Sequence, residues 1–324
     1  MDKSTGKITR QIMSKPTLAL CIPAYNAADY LPRLLSSAQK QEIPFDEILV
    51  YDDCSTDHSA EIAARYGATV LRGTMRIGCS AGRNNLAAHC RTDWIHFHDA
   101  DDALLPNFTT LAHRWLAKPD PPDIVLFDYE WRDNDSGALL AVRRFDKTAL
   151  ENDPLLYAIH EQINPFCGLY RKRAFLNAGG YDTDPNVRFN EDVAFHCKMA
   201  AAGLSFSSES AVAIINYRVS GSMSNQNPIQ CIRAHYEVLQ KNACALPPRY
   251  HPALAAKLWA CAGAAGSYLD WPTTDKAASL ALSLHPPVRH CGNPVFAFLC
   301  HFYPPAAFRL REYLIRWLKT KARR

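Results

Sequence analysis

The sequence has no apolar run approaching ~18 residues, so no membrane-spanning helix is expected. Its start, Met1 to Lys15, is polar and lacks the apolar stretch of a secretory signal, and none is expected. No two cysteines form a C-x-x-C pair, and their count of 11 is odd. A zinc ribbon and a disulfide framework are therefore not expected; the cysteines read as small buried apolar residues of a reducing cytosol. There is no internal repeat and no low-complexity tract. Neither G-x-G-x-x-G nor G-x-x-x-x-G-K-S/T occurs, and Gly78 and Gly82 match neither spacing, so dinucleotide and P-loop phosphate binding lack support. The body also lacks a net basic charge. From Phe308 to Arg324, Arg309, Arg311, Arg316, Lys319, Lys321, Arg323 and Arg324 stand against Glu312, a local +6. The total is +4, which leaves −2 on the remainder, and the body is not a nucleic-acid surface.

What is present is a globular composition, 48% hydrophobic and 21% charged over 324 residues. That length suits a main domain of roughly 200 to 230 residues with a smaller addition. Short apolar runs at Leu18 to Ile22, Glu47 to Tyr51, Ala68 to Leu71, Trp94 to His98 and Asp123 to Phe127 read as strands. Between them, Asp29 to Lys40, Asp57 to Tyr66, Ser80 to Cys90 and Asn107 to Leu116 have helical spacing, the second opened by an Asp or Ser cap. The alternation predicts an α/β fold with a mixed, mostly parallel sheet covered on both faces.

The rhythm then changes. Asp133 to Gly137 reads as a hairpin turn, Pro165 to Tyr170 and Val212 to Tyr217 as strands, and Asn190 to Ala202 as a helix ended by Gly203. Ser220 to Pro228 is polar and reads as a mobile loop that orders over a bound nucleotide. Beyond it only helices are expected, over Ile229 to Leu239 and Ala253 to Leu269. The division is a lead-in over 1–15, a domain over 16–227 and a helical region over 228–324.

Ligands of a parallel α/β sheet bind outside the carboxyl ends of its strands. Asp52, Asp53 and Asp57 follow the second strand, and Asp99, Asp101 and Asp102 follow the fourth. Three carboxylates within four residues repel one another unless a cation joins them. A hard divalent metal held by one or two carboxylates and substrate phosphates meets that need. The plainer reading is a solvated acidic turn with Asp102 capping the next helix. Two such turns on one sheet edge favour a site.

These residues resemble a family. Ile22-Pro23-Ala24-Tyr25-Asn26, Tyr51 to Asp57, Ala81-Gly82-Arg83-Asn84, the D-x-D-like Asp99 to Asp102, and Gly179-Gly180-Tyr181-Asp182 followed by Asn190 to Phe195 resemble, in order, a family 2 glycosyltransferase of the GT-A (Rossmann-like) fold, of bacterial surface-glycan type. The resemblance implies inverting, metal-dependent hexosyl or N-acetylhexosaminyl transfer from a nucleoside diphosphate sugar, with a UDP-sugar the expected donor. The acceptor would be a hydroxyl of a glycan or a lipid-linked acceptor. Pro23, Ala24 and Tyr25 would line the nucleoside pocket, Asp53 would take hydrogen bonds from the base, and Arg83, Asp99 and Asp102 would face the donor. Asp99 and Asp101 would hold Mn²⁺ or Mg²⁺, and Asp192 would be the general base. Cys54 stands where the family often has glycine, and Arg218-Val219-Ser220 where some members carry a metal-binding histidine.

Two alternatives stand beside this reading. His96-x-His98 with the Asp cluster suggests a metallohydrolase, although both also read as satisfied sheet residues. The other is an inactive nucleotide-sugar fold serving as an interaction module. In the tail, Leu310, Tyr313, Leu314, Trp317 and Leu318 form one apolar stripe flanked by cations. Such a helix suits either an anionic membrane surface or packing on the chain's own helices, which makes the expected location cytoplasmic or peripheral on the inner face of the membrane.

Overall fold

The structure, a computed structural model, describes residues 15–219, 226–285 and 294–321. Most of the loop expected from Ser220 to Pro228, and Arg323 and Arg324 of the tail, lie outside the described residues.

The first half is the alternating unit that the sequence predicts. Strands β1 (Leu18–Ala24), β2 (Glu47–Asp52), β3 (Thr69–Arg72) and β4 (Trp94–Phe97) alternate with α1 (Leu31–Gln39), α2 (Ser59–Arg65) and α3 (Cys79–His89). β1 is buried along nearly its whole length, as a central parallel strand covered on both faces must be. Apolar Leu31, Leu34, Leu35 and Ala38 of α1 recur at helical spacing and are its buried face. No side chain caps α2 at its first residue. Instead Asp57 accepts from the backbone N–H of Ser59 at 3.0 Å, which satisfies a first-turn donor.

The second half adds β5 (Ala103–Leu104), α4 (Phe108–Leu116), β6 (Ile124–Asp133), β7 (Leu139–Arg143), α5 (Lys147–Asn152), α6 (Pro154–His160), β8 (Gly168–Arg171), α7 (Lys172–Asn177), α8 (Glu191–Ala201) and β9 (Phe206–Arg218). Among the described residues one sheet runs β3-β2-β1-β4-β8-β6-β9-β5, with β7 paired to β6. It is parallel from β3 to β4 and mixed beyond, since β8 is antiparallel to both β4 and β6 while β6 and β9 run parallel. The strand expected from Pro165 begins later. Pro165–Cys167 is a 3₁₀ turn, and the ladder starts at Gly168, because proline has no N–H to give a neighbouring strand. Helices α5 and α6 have six and seven residues, too few to show a period. Their starts are nonetheless written locally: Asp146 accepts from the N–H of Ala149 and Asp153 from that of Leu156.

Helices α9 (Pro228–Ala245), α10 (His251–Ser267), α11 (Trp271–Leu284), α12 (Pro294–Phe302) and α13 (Pro304–Lys321) follow. They are tied to the sheet domain. Lys241 of α9 lies 2.7 Å from both Asp182 and Asp184, His235 lies 2.9 Å from the side chain of Asn190 at the start of α8, and Lys257 of α10 donates to the carbonyl of His160.

The Gly179-Gly180-Tyr181 segment is held against α3. Asn84 accepts from the Tyr181 N–H at 2.8 Å and donates to its carbonyl at 3.0 Å. Gly180 has φ +55°, and a Cβ there would stand 2.4 Å from Asn84 Oδ1. Gly180→Ala is expected to lower stability by about 1–3 kcal/mol, from the left-handed backbone and the clash together. A urea titration checks this, and an unchanged midpoint would refute it.

Candidate active site

The loops after β1 and β2 are sewn together before any ligand is considered. The N–H of Asp53 donates to the Ala24 carbonyl at 2.8 Å, Asn26 Oδ1 accepts from the N–H of Thr56 at 2.9 Å, and Asp57 accepts from that of Ala28 at 3.0 Å. Cys54 has φ +60°, the left-handed conformation that glycine enters at no cost, and its thiol donates to the Gly73 carbonyl at 3.1 Å. Asp52 accepts from the N–H of Ser55 within the same turn. Asp53, expected at the base, is buried and its two oxygens accept from the backbone N–H groups of Ile77 and Gly78 at 2.7 and 2.8 Å. It thereby fixes the entry to α3. Ala24 is buried, Pro23 half-buried and Tyr25 exposed, with the Arg76 guanidinium 3.6 Å over the Tyr25 ring.

Arg83 is the centre of the arrangement. It projects from α3, is 4% exposed, and donates to Asp99 at 2.6 Å. Burial works against its charge, yet Asp99 and nearby acidic groups hold its pKa above the usual arginine value. Its Nε and a second terminal nitrogen are buried with no partner. Two unpaired guanidinium donors in the interior are costly unless an acceptor arrives, so the site is shaped for an anion. Tyr181, whose ring Arg83 faces at 5.3 Å, also has a buried hydroxyl without a partner.

The three carboxylates after β4 have three different surroundings. Asp99 is partly exposed and paired to Arg83. Asp101 is half-buried, and burial followed by repulsion from Asp99 pushes its carboxyl up to about 6, although Arg33 opposes the shift. Asp102, expected on the donor side, is fully buried and accepts from Asn216 Nδ2 at 3.0 and 2.9 Å and from the N–H of Tyr217 at 2.9 Å. Both its oxygens are committed to β9, and it does not cap α4, which begins at Phe108. Among the described residues no three His, Cys, Asp or Glu groups gather as a complete metal cage. Asp99 and Asp101 still fit a hard divalent cation, because such an ion needs one or two carboxylates beside substrate phosphates and because Asp101 is short of positive charge.

Asp192 lies in the first turn of α8, half-buried. It accepts from Gln162 Nε2 at 2.7 Å and from the Val193 N–H at 2.9 Å. Burial raises its pKa above the aspartate range. Neighbouring Glu191 accepts from the Cys79 thiol at 3.0 Å, and Arg83 opposes the burial-driven rise of its carboxyl, which places the start of α8 beside the start of α3. His96 and His98 do share a face, but they turn to each other. His96 donates Nδ1–H to the Gly168 carbonyl at 2.9 Å and its Nε2 stands 2.9 Å from His98 Nδ1. Burial lowers both pKa values, His98 to about 3, so both rings are neutral parts of the sheet.

Sequence reasoning passed over several participants. Glu191 lies within the Asn190 to Phe195 segment and was legible there. Arg33 of α1 donates to the Asp101 carbonyl and lies 3.7 Å over the Tyr217 ring, a role that needs the third dimension. Gln162 follows a short helix and carries no local signal.

Comparison with known proteins supplies the context. Residues 19–176 match the profile of Glycosyl transferase family 2. An uncharacterised protein of Mycobacterium tuberculosis is 31% identical over 186 residues, covering 53% of this chain and 58% of the relative. An uncharacterised glycosyltransferase of Haemophilus influenzae is 24% identical over 183 residues, 56% of this chain and 61% of the relative. The match therefore spans only part of these relatives' length. Staphylococcus aureus TarS in complex with UDP-GlcNAc superposes with a TM-score of 0.71 at 18% identity, over 93% of this chain and 92% of that one. A Pyrobaculum calidifontis mannosyltransferase with GDP-Man and Mn²⁺ gives 0.57 at 18% identity, over 96% and 87%. The fold is GT-A, as the sequence predicts.

The unequal surroundings of the acidic cluster lead to unequal consequences for stability. Asp102→Ala leaves Asn216 and the Tyr217 N–H without their acceptor and is expected to cost about 1–3 kcal/mol. Asp101→Asn removes a like charge and is expected to leave the urea midpoint at pH 7 equal or higher. The reverse order of the two variants would contradict the placement.

Proposed function

We propose that this chain, whose residues 19–176 match the profile of Glycosyl transferase family 2, is an inverting glycosyltransferase. It moves a hexosyl or N-acetylhexosaminyl group from a nucleoside diphosphate sugar, UDP-linked in the first instance, to a hydroxyl of a surface glycan or glycolipid. The observation that carries this is the buried Arg83, paired to Asp99 and left with two unpartnered donors between the carboxyl end of β4 and the start of α8. Likeness to a putative teichuronic acid biosynthesis glycosyltransferase of Bacillus subtilis, 30% identical over 93 residues, supports a cell-surface acceptor. The location that fits is the cytoplasm, where activated sugars are supplied.

Each residue has a task in this reading. Pro23, Ala24 and Tyr25 bound the nucleoside, with Arg76 stacked on Tyr25. Asp53 holds the 77–78 backbone that forms the pocket's floor and takes base donors on its remaining lone pairs. Arg83 gives its free donors to the diphosphate as negative charge grows there. Asp99 and Asp101 would hold Mn²⁺ or Mg²⁺ with the donor phosphates, and such an ion supplies Lewis-acid stabilisation of the leaving group. Asp192 takes the acceptor hydroxyl's proton as that oxygen bonds to the anomeric carbon and the carbon–phosphate oxygen bond breaks. Asp102 acts at one remove, by keeping β9 against the acidic loop.

Asp192→Asn is expected to keep donor binding, read by thermal shift with UDP and Mn²⁺, while transfer falls roughly 10²- to 10⁴-fold. Equal loss of binding and transfer would make Asp192 a structural or donor-side residue. Because burial raises the Asp192 pKa and the base must be ionised, kcat/KM is expected to fall with decreasing pH at a value above that of ordinary aspartate. Asp101→Asn is expected to abolish the Mn²⁺-dependent part of the thermal shift. Retention of that part would exclude Asp101 as a ligand.

A further inference from the structure

Helices α12 and α13 leave much of their apolar surface in solvent. Phe298 and Phe302 of α12 are 64% and 70% exposed; Tyr313 and Leu318 of α13 are 67% and 57% exposed, with Leu314 and Trp317 between them at 46% each. The stripe read from the sequence is thus not what holds α13 to the chain. That task falls to Ala307, Phe308 and Glu312, which are buried, with Phe308 stacked on Trp259 of α10 at 6.2 Å. The two helices enclose a 290 Å³ groove lined by Leu299, Leu310, Leu314 and Leu318 that opens to solvent beside the stripe. Soluble monomers rarely leave so continuous an apolar surface uncovered.

We infer that this face docks on an anionic lipid surface. Three observations choose that occupant over a second protein copy. Between 294 and 324 the only acidic residue is Glu312, and it is buried against Arg311 and Arg316 at 3.5 and 3.9 Å, so it presents no charge outward. The C-terminal end of α13 carries the opposite sign: Lys319 and Lys321 are exposed, and Arg323 and Arg324 follow in sequence. A second copy would bring these cations onto themselves, whereas a negative surface neutralises them. Third, Tyr313 and Trp317 pair an apolar ring with a polar handle, the side chains that settle at headgroup depth. None of the described helices is long and apolar enough to span a bilayer, so contact would be interfacial. Arg309 does not take part, since both its terminal nitrogens are 2.7 Å from Asp275.

The test is co-sedimentation of the full chain with phosphatidylglycerol-containing vesicles and with pure phosphatidylcholine vesicles. Binding is expected only to the anionic vesicles, strongly at low salt and weakly at 0.5 M, a salt level on the order of that at which the screening length is a few ångströms. Trp317→Ser with Leu318→Ser removes the apolar contact and is expected to abolish binding. Lys319→Glu with Lys321→Glu is expected to weaken it at least about tenfold, each cation being worth roughly fivefold at such a surface. All four positions are exposed, so urea midpoints should be unchanged, and the charge pair keeps the test valid if the apolar pair destabilises the helix. Equal binding to both vesicle types, no binding at low salt, or a dimer in light scattering that the apolar pair dissolves would each overturn the inference. None of these readings depends on nucleotide binding or transfer.

Discussion

Three carboxylates leave β4 within four residues, and their mutual repulsion is the constraint around which the site is built. Each is relieved differently. Asp102 is taken into the interior and accepts three hydrogen bonds from two donors of β9, the Asn216 amide and the Tyr217 N–H. Asp99 is given a buried guanidinium. Asp101 is given a cation only at a distance, and its carboxyl stays near 6. The arrangement sorts one fixed anchor from one paired and one unsettled group, and only the last two look outward. A pair such as Arg83 and Asp99 contributes little net stability once desolvation is counted, and its value lies in pointing donors at a chosen place.

The remaining geometry follows from that sorting. β9 comes to the acidic loop because Asp102 holds it, and Arg33 then stacks on Tyr217 and donates to the Asp101 carbonyl. On the other side, Asp53 fixes the entry to α3, which aims Arg83. Asn84, one residue further, fixes Tyr181. Two strand ends and two helix starts are thus related by short hydrogen bonds from side chain to backbone, which tolerate little displacement.

The alternation of short apolar runs with amphipathic spacing made the parallel half of the sheet legible, because every residue of β4 and all but Pro23 of β1 are buried. Placement was legible where motifs sit next to element ends: Asp53 follows β2, Asp99 and Asp101 follow β4, and Arg83 and Asp192 lie near the starts of α3 and α8. What stayed hidden was direction. Nothing near Asp102 states that its oxygens turn to Asn216, 114 residues away. Nor does local sequence state that His96 and His98 bond to each other. The short helices α5 and α6 escaped periodicity, though their aspartate caps were visible. Cys54 shows the converse: it stands where the resembled family often has glycine, and its backbone is in the left-handed region at φ +60°.

The Lys241 ammonium, shared by Asp182 and Asp184, has a meaning for how this chain can be divided. Those two carboxylates belong to the loop that leads into α8, and the cation that pairs with both comes from α9. His235, also from α9, meets Asn190 two residues before Asp192. A fragment ending near residue 227 would therefore not be a smaller version of the same domain. It would lose its counterion at one end of the loop and its brace at the other, with Asp192 lying just past the unbraced end. The helical region is a buttress in the mechanical sense: it stands outside the wall and determines whether the wall keeps its line.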